Sequence, residues 1–297
     1  MCGREIGFLV AVRLASAAAL CMIALNEVKA QQGASASQQG SGPSMAVENN
    51  GEDFTRPENL FQLRYVYLTA PGSGALPGTT RTVTSDLLIL RSDLMIDLAP
   101  QWQLALRGDL PLAAKDPIVP NNPNGDYYYG LGDADIQAAL IRDISTRWAA
   151  GAGLRVVAPT GTDNLTAGTW QALPIIGARV MLPEITTGSF FVALVRYDIS
   201  FAAAPWAKNI SNLQFEPELN INLPDRWFVT FYPSPDIRVN YGDPITGQTG
   251  RLFLPADVLV GRNLTEDIVV SLEVGVPIVN QYPVYDFKTV ARLNIKF

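Results

Sequence analysis

From residue 60 to the last residue, apolar and polar side chains alternate with a period of two, and helical periodicity is scarce. The clearest stretch is 213–223. Leu213, Phe215, Pro217, Leu219, Ile221 and Leu223 fall on one face, and Gln214, Glu216, Glu218, Asn220 and Asn222 on the other. At the carboxy end, Phe287, Thr289, Ala291, Leu293, Ile295 and Phe297 alternate with Lys288, Val290, Arg292, Asn294 and Lys296. Ile268, Val270, Leu272, Val274 and Val276 likewise oppose Val269, Ser271, Glu273 and Gly275. Read throughout, the pattern predicts twelve strands, at 60–70, 82–97, 101–112, 130–144, 147–158, 171–182, 188–200, 212–223, 226–239, 250–263, 266–278 and 285–297. Most exceed the ~5–6 residues of an ordinary globular strand. They reach the ~9–11 residues that a tilted strand needs to cross a bilayer.

The connections alternate between short and long. Short ones fall at 99–100, 145–146, 183–187, 224–225 and 265, and long ones at 71–81, 113–129, 159–170, 201–211, 240–249 and 279–284. The expected fold is therefore all-β: a closed, antiparallel, up-and-down transmembrane β-barrel of about 12 strands, with short periplasmic turns and longer extracellular loops. Closure follows from backbone chemistry, because an unpaired strand edge in hydrocarbon leaves polar groups unsatisfied. A soluble β-sandwich also alternates, but its strands are shorter and nothing in it demands strict loop alternation. Phe61, Tyr65, Trp102, Trp148, Trp170, Phe201, Trp206, Trp227, Tyr282 and Phe297 lie near strand ends, where aromatic girdles meet the membrane interfaces.

The amino end has a different character. Residues 1–30 carry Arg4 and Arg13, apolar runs at 8–12 and 14–25, and Val28-Lys29-Ala30 before Gln31, which is the pattern of a cleaved secretory signal peptide. Both cysteines, Cys2 and Cys21, lie inside that segment, so the mature chain would have neither a disulfide nor a thiol. Residues 31–56, rich in Gln, Ser and Gly, read as a disordered polar leader, and 57–297 as the barrel.

Composition narrows the chemistry. Only 17% of the 297 residues are charged, against about a quarter in soluble domains, as expected when half of each strand faces lipid. The chain has no His, which excludes His-based triads, His general bases and His-ligated metals. A net charge of −6 argues against nucleic acid as a partner. No nucleophile–base pair is visible, and neither cofactor nor metal is expected. Asp133/Asp135 and Glu216/Glu218 are paired carboxylates at i,i+2 spacing, which suits acid/base work but is also what any polar strand face contains.

If the apolar faces look at lipid, the inward face carries Arg64, Arg91, Asp93, Arg107, Asp109, Asp133, Asp135, Arg155, Arg179, Arg196, Glu216, Glu218, Arg238, Glu273, Lys288 and Arg292, together with Asp97, Asp198 and Lys296. These residues are the candidate lining of a solute pathway. The competing reading is structural: opposite charges that pair and fill the interior.

Two segments point to a family. Gly130-Leu131-Gly132-Asp133-Ala134-Asp135, and Val156-Val157-Ala158-Pro159-Thr160-Gly161 followed by Gly168-Thr169-Trp170, together resemble the bacterial outer-membrane proteins named for the MetA pathway of phenol degradation. These motifs lie in the middle third of the chain. The resemblance implies a Gram-negative outer-membrane barrel that passes small, often hydrophobic compounds and is often encoded near genes for aromatic breakdown. Leu293, Ile295 and Phe297 resemble the terminal signature that the barrel-assembly machinery reads. The expected function is passive transport of a small solute across the outer membrane. A non-conducting adhesion barrel with partner-binding loops and an outer-membrane hydrolase remain as alternatives. Solute identity, oligomeric state, an open or plugged lumen and an inward or outward course of 113–129 are left open.

Overall fold

The computed structural model describes residues 53–71, 82–117 and 122–297. The expected signal peptide and most of the expected leader lie outside the described residues. The strands are β1 (Leu60–Pro71), β2 (Thr82–Ala99), β3 (Trp102–Lys115), β4 (Tyr128–Leu131), β5 (Asp135–Asp143), β6 (Trp148–Val157) and β7 (Thr169–Met181). They continue with β8 (Phe190–Ala203), β9 (Ser211–Asn222), β10 (Trp227–Phe231), β11 (Ile237–Asn240), β12 (Leu252–Asn263), β13 (Ile268–Asn280) and β14 (Phe287–Lys296).

All pairings are antiparallel between chain neighbours, and β14 returns to β1 from Leu60↔Lys296 to Thr69↔Phe287, which closes the wall. β4 and β5 both pair with β3, and β10 and β11 both lie between β9 and β12. Each couple is one interrupted strand, so the 14 segments make twelve positions around a closed barrel.

Two expected strands are thus broken, and each break has a chemical cause. The 226–239 strand stops at Phe231 and resumes at Ile237, across Tyr232-Pro233-Ser234-Pro235-Asp236. Neither proline can donate to a ladder, and Tyr232 takes φ 53°, outside the strand region. The 130–144 strand breaks at Gly132-Asp133-Ala134. There Gly132 N–H donates to Pro111 O at 2.8 Å, and a Cβ on Gly132 would come 3.0 Å from Pro111 Cγ.

The outer face is apolar and bare. Leu90, Leu110, Ile136, Leu154, Ile176, Val260, Leu272 and Ile278 are exposed on β2, β3, β5, β6, β7, β12 and β13. A contiguous apolar surface of that extent belongs in lipid rather than water. Phe61, Trp148, Trp170, Phe201, Trp206, Trp227 and Phe297 stand exposed as girdle residues should, and Phe297 stacks on Phe61 with centroids 5.0 Å apart. Tyr282 departs from the girdle expectation. It is buried with Phe253 and Tyr285, because the 281–286 segment turns inward.

Candidate functional site

The inner face is built by register. Arg91 lies opposite Asp109, and Asp93 opposite Arg107, so the side chains meet as bidentate pairs at 2.7–2.8 Å. Asp135 lies opposite Asp109, and Arg155 bridges the two carboxylates, at 2.5 Å to Asp135 and 3.7 Å to Asp109. Arg196 lies opposite Gln214 and donates Nε to its Oε1 at 2.7 Å. Arg64 donates to Gln62 Oε1 at 2.9 Å. Glu216 and Glu218 are both buried on β9.

On the far side of the lumen is a dense charge knot. Lys288 Nζ sits among Asp236, Asp257 and Glu273, and Arg292 pairs with Glu273. Tyr285 O–H donates to Asp257 Oδ1 at 2.8 Å, and Lys288 Nζ lies 5.2 Å from the Tyr285 ring centre. Gly275 lies between Asp257 and Lys288 in the ladder, and a Cβ there would overlap Asp257 Oδ1. The three carboxylates have the spacing of a cation site, and the lysine ammonium holds that position. Arg238 joins the knot through Asp236 at 3.1 Å.

The residues just before β1 also enter the lumen. Asp53 pairs with Arg179 at 2.9 Å, and Asp143 stands 3.5 Å from the same guanidinium. Phe54 packs on Ile175, Met181, Phe190, Val192 and Leu194. Its ring rests in a notch left by Gly151 and Gly177, which are opposite one another on β6 and β7; added Cβ atoms would lie 3.1 and 3.2 Å from it. Residues 53–56, read from sequence as the end of a polar leader, therefore lie against the wall, with Asp53 and Thr55 buried. The inner face is not uniformly polar either: on β7 and β8 the inward residues include Ile175, Val192 and Leu194.

Asp133 needs a correction. The expectation that it shares a lumen-facing strand surface with Asp135 assumed an unbroken strand, but Asp133 lies in the break between β4 and β5. Its carboxylate accepts from Gly161 N at 3.0 Å and Ala167 N at 2.7 Å, while Thr160 Oγ1 accepts from Ala134 N at 2.9 Å. The two motif segments thus hold each other as a loop clasp. Gly168, at φ +68°, completes it, because a Cβ there would strike the Trp206 ring. Asp97, near the end of β2, is exposed and accepts from Gln103 Nε2 at 3.4 Å.

A cavity of about 260 Å³ occupies the middle of the lumen. Strands β1–β3, β5–β9, β11 and β14 contribute to its lining, Phe54 contributes from the amino end, and Pro233–Asp236 and Tyr285 contribute from inward-turned segments. Of the expected pathway residues it gathers Arg64, Arg91, Arg107, Asp109, Arg155, Arg196, Glu216, Arg238 and Lys288. It does not gather Asp93, Asp133, Asp135, Arg179, Glu218, Glu273 or Arg292, which hold partners or lie away from it. Asp236, Asp257 and Phe54 were absent from the sequence-based set. Asp257 continues the inward register of Phe253 and Pro255, so its position alone points to the lumen.

This is the fold of an outer-membrane β-barrel. Among solved structures, an outer membrane channel from Pseudomonas putida F1 superposes with a TM-score of 0.63 at 16% identity, covering 84% of this chain and 100% of that one. The porin KdgM (TM-score 0.42, 8% identity, 80% of this chain and 99% of that one) is also similar. So is the translocator domain of the autotransporter NalP from Neisseria meningitidis (0.45, 11%, 84% and 91%). No family model and no curated protein sequence matches the chain. The exposed apolar face of the wall is the face that meets lipid.

Proposed function

We propose that the protein is an outer-membrane channel that passes a small solute, aromatic or otherwise partly apolar, by passive diffusion. The observation that carries this reading is the central cavity: it lies inside a closed wall and is lined by polar and apolar side chains from β1–β3, β5–β9, β11 and β14. At about 260 Å³ it lies just under the ~300–1,000 Å³ of ligand pockets, which suits one ring or a short chain rather than a sugar polymer. The resemblance of residues 130–135 and 156–170 to the MetA-pathway family supports the same solute class. No energy input is assigned, since selectivity in such a pore follows from lining chemistry and width. The carboxylate pair at 133 and 135 is divided between a loop clasp and an ion pair, which favours a conduit over a hydrolase. Leu293, Ile295 and Phe297, on the outer side of the last strand, are the residues the barrel-assembly machinery would read.

Reconstitution tests the proposal. The refolded barrel should show discrete conductance steps in planar bilayers and admit small aromatic compounds into liposomes. A correctly folded barrel with neither conductance nor uptake would exclude it.

A further inference from the structure

The cavity has a definite sign. Its lining carries seven basic side chains, Arg64, Arg91, Arg107, Arg155, Arg196, Arg238 and Lys288, against three carboxylates, Asp109, Glu216 and Asp236. Other carboxylates lie behind this layer: Asp93 with Arg107, Asp135 with Arg155, and Asp257 and Glu273 with Lys288. Their charge offsets much of the excess at a distance, but the groups a solute would touch are mainly donors.

Three of the basic side chains have donor capacity in hand. Arg196 uses Nε on the neutral Gln214, and its two terminal nitrogens take no acceptor among the described residues. Arg155 places Nη2 on Asp135 and keeps a buried Nε without an acceptor. Arg238 does the same, with Nη2 on Asp236 and a buried Nε unmet. Buried polar groups are almost always hydrogen-bonded, and around this one space three guanidiniums keep donors that a solute could take. Arg155 and Arg238 are the like-charged neighbours of Arg196, opposed by Glu216 and Asp198. A guanidinium is also the side chain best shaped to take a carboxylate through two parallel bonds. Most of the remaining lining is apolar, with Phe54, Val66, Ile89, Ile175, Leu194 and Val290 among it, and Gln137, Ser234 and Tyr285 add neutral polar groups.

Resting on the channel reading above, we infer that this cavity is a binding station for a small organic monocarboxylate with an apolar body. Its carboxylate meets Arg196, with Arg155 and Arg238 beside it, and its ring or chain lies toward Phe54, Ile175 and Leu194. The chemistry excludes a cation and disfavours a neutral hydrocarbon, which would leave the guanidinium donors unmatched.

Titration calorimetry on the folded full-length barrel in detergent tests the site without requiring conduction. Benzoate is the probe, with benzyl alcohol as its neutral counterpart and inorganic phosphate as an anion lacking an apolar body. Benzoate should bind about tenfold or more tightly than either, the scale of a charge-assisted hydrogen-bonded pair. Arg196→Gln should remove that preference while the barrel still migrates as a folded species on unheated gels. Equal binding of benzoate and benzyl alcohol would overturn the inference, and so would phosphate binding as well as benzoate or an unchanged preference in folded Arg196→Gln. If that variant does not fold, the three-ligand comparison on the unaltered protein decides alone. Benzoate binding without any conductance would defeat the channel reading and keep the site; conductance without benzoate binding would do the reverse.

Discussion

Two clusters of charge face the same lumen and are built on opposite principles. Around Lys288, one ammonium meets three carboxylates, the Tyr285 hydroxyl donates to one of them, and Gly275 leaves the space that brings them together. Around Arg196, by contrast, the nearest hydrogen-bond partner is a neutral amide and the guanidinium ends open onto the cavity. Arg238 belongs to both, tied to the knot by Asp236 and bordering the open side. The difference teaches how a small barrel can be both filled and selective. Charge paired within the knot fixes the wall and the inward segments, and donors turned onto the cavity define what can stop in the space that remains.

That contrast can be broken at its strongest point first. Lys288→Met should cost about 3–5 kcal/mol, because it leaves buried carboxylates facing one another without their cation. Urea unfolding followed by gel mobility should show a clearly lowered midpoint. Restoring a midpoint near the original by adding Asp236→Asn and Asp257→Asn would assign the loss to uncompensated charge. Next is Gly275→Ala, where a single methyl overlaps Asp257 Oδ1; overpacking of this kind costs about 1–3 kcal/mol. A midpoint equal to that of the unaltered protein would show that the close approach is not needed.

Asp133→Asn probes the clasp at the loop end of the wall. It weakens two charge-assisted bonds from Gly161 and Ala167, and about 1–2 kcal/mol is expected. Proteolysis of the 158–168 loop should become faster while the core barrel stays intact, and an unchanged cleavage rate would refute the clasp. The smallest stability change belongs to Arg196→Gln, within about 1 kcal/mol, since no ion pair is lost. If it destabilises as much as Lys288→Met, the two clusters are not different in kind.

The strands were legible because period-two alternation survives wherever lipid and lumen differ in polarity. The predicted spans agree with β1, β2 and β9 to within a residue or two. The broken strand at 232–236 was also encoded, since Pro233 and Pro235 cannot sit in a ladder, but alternation on both sides masked the gap. What local pattern could not supply was partnership. Asp53 meets Arg179, and Asp236 meets Lys288, across long stretches of chain that only closure of the wall brings together. The inward apolar patch of β7 and β8 was hidden for another reason: Ile175, Val192 and Leu194 share the inward faces with Arg179, Arg196 and Asp198, and those charges mark the faces as polar. The division of the inward charges into bound and open groups depends on register and on inserted segments, neither of which alternation reports.

Ion selectivity of the reconstituted pore tests the account most directly. Under a potassium chloride gradient, the reversal potential of the unaltered barrel should lie on the chloride side, and Arg196→Gln should move it toward zero with conductance retained. A folded barrel without conductance, or one selective for potassium and indifferent to Arg196, would contradict the claim that these arginines line the path.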